Sequence, residues 1–182
     1  MKKNALLAIA VLLATILGCN DKERQARRQQ DKEAAAKLRA AASDLANLPD
    51  KTQLTDEPYI KGKLAIVRKD NDRSFYMYDP DISSYGDTYA RTPEEVQTVV
   101  LRVCQRTQKG VYRTQENPPR ELPAFATNCD LTIVDRTIPA VVFKRRFEAK
   151  LREESVATAN TQQVEAHAGY EIDEFLKSLP RK

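Results

Sequence analysis

Hydrophobic positions follow three patterns along this chain. From Ala5 to Leu17 every position but Thr15 is apolar, a run of 13 residues behind a start that carries Lys2 and Lys3. The run is too short for a stable bilayer-spanning helix and matches the apolar stretch of an export signal. Asp21 to Arg39 then reads as charge, Gln and Ala, and apolar positions return only at Leu38, Ala41, Ala42, Leu45 and Leu48, with helical spacing. Good helix formers fill this block and no Gly or Pro interrupts it before Pro49, which predicts a charged helix ending ahead of that proline.

Beyond residue 54 the pattern changes to short β-type runs. Lys63–Arg68, Ser74–Tyr78 and the β-branched run within Glu94–Arg106 read as strands. Gly110 is expected to turn the chain, with Val111-Tyr112-Arg113 starting a return strand and Glu116–Pro119 forming a loop. In Cys129–Asp135, Cys129, Leu131 and Ile133 alternate onto one face, Arg136–Pro139 turns, and Ala140–Phe147 returns as the second arm of a hairpin. Lys150–Gly169 is polar and reads as loop or loose helix, and Ile172, Phe175, Leu176 and Leu179 mark one face of a short closing helix. The expected fold class is α+β: a small, mostly antiparallel sheet covered by the C-terminal helix, with Leu45 and Leu48 on the same side, preceded by a charged helical spacer. The expected segments are 1–18 as a signal peptide, 19–50 as spacer, and 51–182 as one domain with its helix.

Composition narrows the function. Of 182 residues, 30 are Lys or Arg and 26 Asp or Glu, a net charge of +4 that gives no general nucleic-acid footprint. Three Cys and one His leave little for a zinc site, and no metal or cofactor is expected. His167, the single histidine, lies in the polar tail and reads as a surface residue; no Gly-x-Ser-x-Gly and no phosphate-cradling Gly loop is present, so no catalytic residue is assigned. Asp79-x-Asp81-x-Ser83-x-Tyr85-x-Asp87 begins like a calcium loop, but Ser84 stands where Gly is needed and Ala90 where the bidentate Glu is needed. Five of the seven tyrosines fall between Tyr59 and Tyr89. Strand alternation puts Tyr76 and Tyr78 on one face and Phe75 and Met77 on the other. Tyr76, Tyr78, Tyr85 and Tyr89 form a candidate binding face, against the plainer reading that their rings cover the sheet edge. Lys144-Arg145-Arg146 with Lys150 and Arg152 is a second basic stretch, diluted by Glu148, Glu153 and Glu154, and reads as a solvated strand end.

Ile16-Leu17-Gly18-Cys19, where the apolar run ends, resembles the lipobox of bacterial lipoproteins, with an aliphatic residue at −3, a small one at −1 and Cys at +1. The resemblance implies lipidation (palmitate among the acyl groups) of the Cys19 thiol and a new N-terminus there. Asn20 at +2 and Asp21 at +3 imply sorting to the outer membrane, because the inner-membrane retention signal has Asp at +2. The spacer, if helical over 30 residues, spans about 45 Å and holds the domain off the lipid, its net positive charge suiting anionic headgroups. With Cys19 lipidated, Cys104 and Cys129 remain as a pair in an oxidising compartment, read as a disulfide or else as two buried thiols. Antiparallel pairing would bring them together if one ends its strand and the other begins the partner. Tyr59–Lys63, Thr92–Val100 and the Cys-x-x-x-Ile-Val-Asp run at Cys129–Asp135 resemble a group of bacterial exported domains over about residues 59–148; that resemblance implies the fold and carries no activity. Two functions follow as expectations. One is a non-catalytic envelope lipoprotein, in the membrane through its lipid and binding another envelope protein or a cell-wall polymer. The other is an envelope hydrolase acting on cell wall or lipid with acids such as Asp79, Asp81 and Asp130.

Overall fold

In the computed structural model, residues 24–26, 28–78, 85–114, 116, 118–151 and 162–182 are described. Cys19, Asp79, Asp81, Ser83, Ser84 and Arg152 lie outside them. The chain is α+β, as its pattern predicts. The N-terminal block is helical over 24–26 and 28–40 (α1), continues through Ala41 into Ala42–Leu45 (α2), and ends at Ala46 ahead of Pro49. The strands are β1 (Lys63–Asp70), β2 (Tyr76–Met77), β3 (Val96–Arg113), β4 (Glu121–Asp135), β5 (Ala140–Phe147) and β6 (Val164–His167), followed by helix α3 (Gly169–Ser178). They form one sheet in the order β2-β1-β3-β4-β5, with β6 also paired to β4. β5 pairs with the Cys129–Asp135 half of β4, and β6 with Ala124–Thr127, one after the other along the strand.

Pairs β1–β2, β3–β4 and β4–β5 are antiparallel, whereas β1–β3 and β4–β6 run parallel. Register assigns the faces. Leu64, Ile66 and Arg68 of β1 align with Thr98, Val100 and Arg102 of β3, and these with Asp135, Ile133 and Leu131 of β4. Helix α3 covers this face: Ile172 and Leu176 are fully buried, and Phe175 packs its ring on Phe143 and Phe147 at 5.2 and 5.5 Å. Val67, Val99, Leu101 and Val134 point to the other face, on which Met77 stands opposite Val67. Met77 borders a cleft with Leu38 of α1, and Leu38, Ala42 and Leu45 are buried in the common core. The spacer is therefore a packed layer at its C-terminal end, burying apolar area that would otherwise leave a sheet face wet. Leu45 is buried, but with the N-terminal helix on the face opposite α3 and not on the α3 side as expected; Leu48 is largely exposed.

Several expectations on strand bounds change. Gly110 does not turn the chain. β3 runs through it to Arg113, and the ladder with β4 shifts register between Gln108 and Gly110, a role glycine often has inside strands. The reversal lies at 114–120, where the Thr114 amide donates to the Arg120 carbonyl and the Arg120 amide to Thr114 Oγ1. β4 begins at Glu121, earlier than its Cys129 start in the sequence reading. The polar stretch before α3 contributes β6, which forms because the outer edge of Ala124–Thr127 is free to pair. Residues 51–55 bond to Val141 and Val142 of β5, and the C-terminal Lys182 to Ile60 and Gly62, so both ends of the domain are pinned to the sheet.

Cys104 and Cys129 form a disulfide, 25 residues apart in sequence and directly opposite in the β3–β4 register, with Cα atoms 4.0 Å apart. Both sit in mid-strand and not at the strand ends that the sequence suggested, because β3 and β4 are each longer than their apolar runs.

Candidate functional site

The sheet face beneath the start of α3 carries a charge where the pattern leads to an apolar residue. Arg102 lies between Val100 and Cys104 on the inward side of β3 and is only 1% exposed. It is held by Asp173 of α3, whose Oδ1 accepts from Arg102 Nη2. Its Nε is buried without an acceptor. Next to it in register, Arg68 of β1 donates from Nε to Asp70 Oδ1 at 2.7 Å.

Of the four tyrosines singled out in the sequence, Tyr76, Tyr78 and Tyr85 meet around these two arginines and their carboxylates, and Tyr89 holds the backbone of Tyr78. Tyr78 lies under both guanidinium groups, with Arg102 at 5.0 Å and Arg68 at 5.4 Å from the ring centroid, a favourable arrangement of cation and ring face. Tyr76 donates to Asp70 Oδ2 at 2.5 Å, and Tyr85 to Asp173 Oδ1 at 3.4 Å. Tyr89 donates to the Tyr78 carbonyl at 2.8 Å, fixing the strand that presents the Tyr78 ring. As expected from alternation, Tyr76 and Tyr78 share the Arg68 face, while Phe75 lies under Lys69 and Met77 opposite Val67. A shared open face does not result. Tyr85 and Tyr89 are buried at 5% and 8% exposure, because their rings close the gap between β1 and the Gly86–Thr88 turn. They support the site from behind, and only Tyr76 and Tyr78 reach toward solvent.

Burial, reinforced by the neighbouring carboxylate, pushes the Tyr76 and Tyr85 hydroxyls up to about 12. Both stay protonated at neutral pH and act as hydrogen-bond donors, not as bases or nucleophiles. Burial disfavours the Arg68 charge, but the bond to Asp70 outweighs it and the guanidinium is held above its ordinary value.

A cavity of about 410 Å³ opens beside this cluster, lined by Arg68, Tyr78, Arg102, the Cys104–Cys129 bridge, Thr127, His167, Asp173 and the first residues of α3. His167 is at its rim, bonded to Glu165 at 3.0 Å. A second cleft, of about 310 Å³, lies between α1 and the Met77–Tyr89 region. The other sequence candidates lie elsewhere. Asp130 projects from the opposite face toward Arg146 at 3.6 Å. Arg145 turns away from Lys144 and Arg146 and stacks over Phe147 and Phe175, so the basic triplet is no single patch. Among the described residues no group of three or more His, Cys, Asp or Glu side chains is placed to hold a metal ion. Arg68, Arg102, Asp70 and Asp173 were not singled out from sequence. The available signal was Arg102 itself, a charge at an inward position of a β-branched run.

Comparison with protein-family models, curated proteins and solved structures finds no match to this chain. What the site defines is thus its own chemistry: a donor-rich, half-enclosed cavity on a rigid sheet, suited to holding a ligand.

Proposed function

We propose that the protein is a lipid-anchored module of the bacterial cell envelope, tethered through Cys19 and exposed to the periplasm from the outer membrane, and that it works by binding another envelope component, not by catalysis. The anchor rests on the short apolar run that ends at Leu17-Gly18-Cys19. The observation that carries binding is the convergence of Arg68, Arg102 and the Tyr78 ring on the wall of one cavity, with Tyr76 and Tyr85 bonded to the carboxylates that pair with the two arginines. Arg68, Arg102, Tyr76 and Tyr85 are donors held in place by the Asp70 and Asp173 carboxylates, an arrangement that supports recognition. The hydrolase reading has less support, since Asp130 is on the face away from the cavity. Chemical crosslinking in intact envelopes followed by pull-down tests the proposal. A discrete crosslinked species with the wild-type chain, lost when Tyr170 at the cavity mouth is changed to Glu, is the expected result; recovery of the same background from both chains would overturn it.

A further inference from the structure

The cavity beside α3 collects positive potential from three independent sources. Arg102 is almost wholly buried, and its Nε–H has no acceptor although Nη2 is paired to Asp173. A buried donor left without a partner is disfavoured, more so on a charged group, so native structures seldom leave one without a reason. Arg68 lines the same space and engages Asp70 through Nε, leaving the far side of its fork for another acceptor. Helix α3 begins here as well. Gly169 and Tyr170 line the cavity, the N-cap residue is Ala168, and no side chain caps the helix, so the first-turn amides face the space uncapped. The opposing negative charge in the lining is the Asp173 carboxylate, already turned to Arg102.

From this we infer that the cavity binds the oxyanion group of a small ligand, a phosphate or a carboxylate. Such a group is acceptor-only. It would meet the Arg68 fork and the start of α3, with the buried Arg102 guanidinium behind them, combining charge-assisted hydrogen bonds with the favourable end of the helix dipole. A neutral ligand would meet the same donors without the charge term. The volume of about 410 Å³ exceeds what a single oxyanion fills, and Tyr78, Ile172 and the disulfide leave an apolar wall for the rest of the molecule. The inference names the ligand class of the binding module proposed above and rests on that reading.

The test is an NMR titration of the full-length 20.6 kDa chain with inorganic phosphate, and separately with acetate, at constant ionic strength held with chloride. The readouts are the Arg102 side-chain Nε–H resonance and the Gly169 and Tyr170 amides. A saturable shift of these resonances is expected with at least one of the two anions, and which of them saturates at lower concentration separates a phosphate from a carboxylate ligand. Arg68→Gln, a half-buried site that leaves the Arg102–Asp173 pair in place, should raise the half-saturation concentration about tenfold. Arg146→Gln, on the opposite face, should leave it unchanged. Shifts that chloride reproduces, or that Arg68→Gln does not weaken, would overturn the oxyanion site. Loss of saturable anion binding with the envelope crosslink intact overturns this site alone; saturable binding with no envelope crosslink overturns the module reading alone.

Discussion

At the scale of single residues, Arg102 and Asp173 set the electrostatics of the core. Removing the carboxylate leaves a guanidinium buried without its counterion, whereas replacing the guanidinium by an apolar side chain leaves only Asp173, which at 28% exposure can still reach water. Asp173→Ala should therefore destabilise by about 3 kcal/mol and Arg102→Met by distinctly less, read as the shift of the urea midpoint in each variant. A reversed order would mean that Arg102 serves packing before charge. Asp135, 1% exposed at the far end of β4, gives a pH signature. Burial alone would raise its carboxyl, but Thr137, through hydroxyl and amide at 2.6 and 2.8 Å, and the Tyr59 hydroxyl at 2.9 Å hold it below the usual carboxylate range. A depressed carboxyl stabilises the fold above its unfolded value near 3.9 and loses that contribution as pH falls through the lower folded value. Denaturation midpoints should thus drop below about pH 4 in the wild type, and Asp135→Asn should flatten that acid limb while lowering stability at neutral pH. Gly62 shows a backbone requirement: its φ is +53°, and a Cβ there would fall 1.5 Å from Gln97 Oε1. The Gln97 tip can swing away, so the strain that remains is the left-handed backbone, and Gly62→Ala should lower stability by about 1–2 kcal/mol in the same urea assay.

At the scale of elements, the β3–β4 hairpin organises the molecule, and the disulfide closes it. For a 25-residue separation, loop-closure entropy corresponds to about 3.5 kcal/mol, so Cys104→Ala with Cys129→Ala should lower the melting temperature by about 10 °C. Two titratable thiols in the denatured, unreduced chain would remove the basis of that expectation. The hairpin also shows which parts of the fold are written locally. The strand cores were readable because β-branched residues and alternation are local signals: Leu131 and Ile133 fall on the α3 face as their spacing implies. The α3 face was readable in the same way, from Ile172, Leu176 and Leu179. The outer halves of β3 and β4 were not, since Gln105–Gly110 is polar and exposed and its strand form comes from the partner across the ladder. β6 is of the same kind, with a weak pattern that becomes a strand only because an unpaired β4 edge is available. The parallel β1–β3 pairing depends on how the chain crosses from Asp70 to Val96, which no local pattern encodes. At the site the tyrosine cluster was visible as a density of one residue type, but its two arginines and two aspartates come from three elements, β1, β3 and α3, that meet only in the folded chain.

At the scale of the whole molecule, the position of α1 would limit how far the domain can stand from the proposed anchor. Leu38, Ala42 and Leu45 are buried against the sheet, so the helix is fixed to the domain from about residue 38 onward and the exposed part is the charged stretch before it. The 15 residues from Arg24 to Leu38, taken as helix, reach only about 20 Å, less than the 45 Å of a spacer free over its whole length. On the proposed anchoring, the helical part that is packed on the sheet is lost to the spacer's reach. In this anchoring the apolar run is not the attachment, since its 13 residues from Ala5 to Leu17 are fewer than the roughly 20 a spanning helix needs. The proposed attachment is through acyl chains at Cys19, where one chain alone would give only marginal, reversible binding, so more than one is expected. Cys19→Ala removes the atom that would carry the proposed thioether and lies outside the described residues of the domain. The wild-type chain should therefore fractionate with membranes and show a mature mass consistent with residues 19–182 plus acyl groups, and Cys19→Ala should move to the soluble fraction with an unchanged melting temperature. Inhibition of the lipoprotein signal peptidase should in turn leave a longer precursor of the wild-type chain. An unchanged membrane fraction for Cys19→Ala, or a mature-size band under the inhibitor, would show that the molecule is held by something other than a lipid on this cysteine.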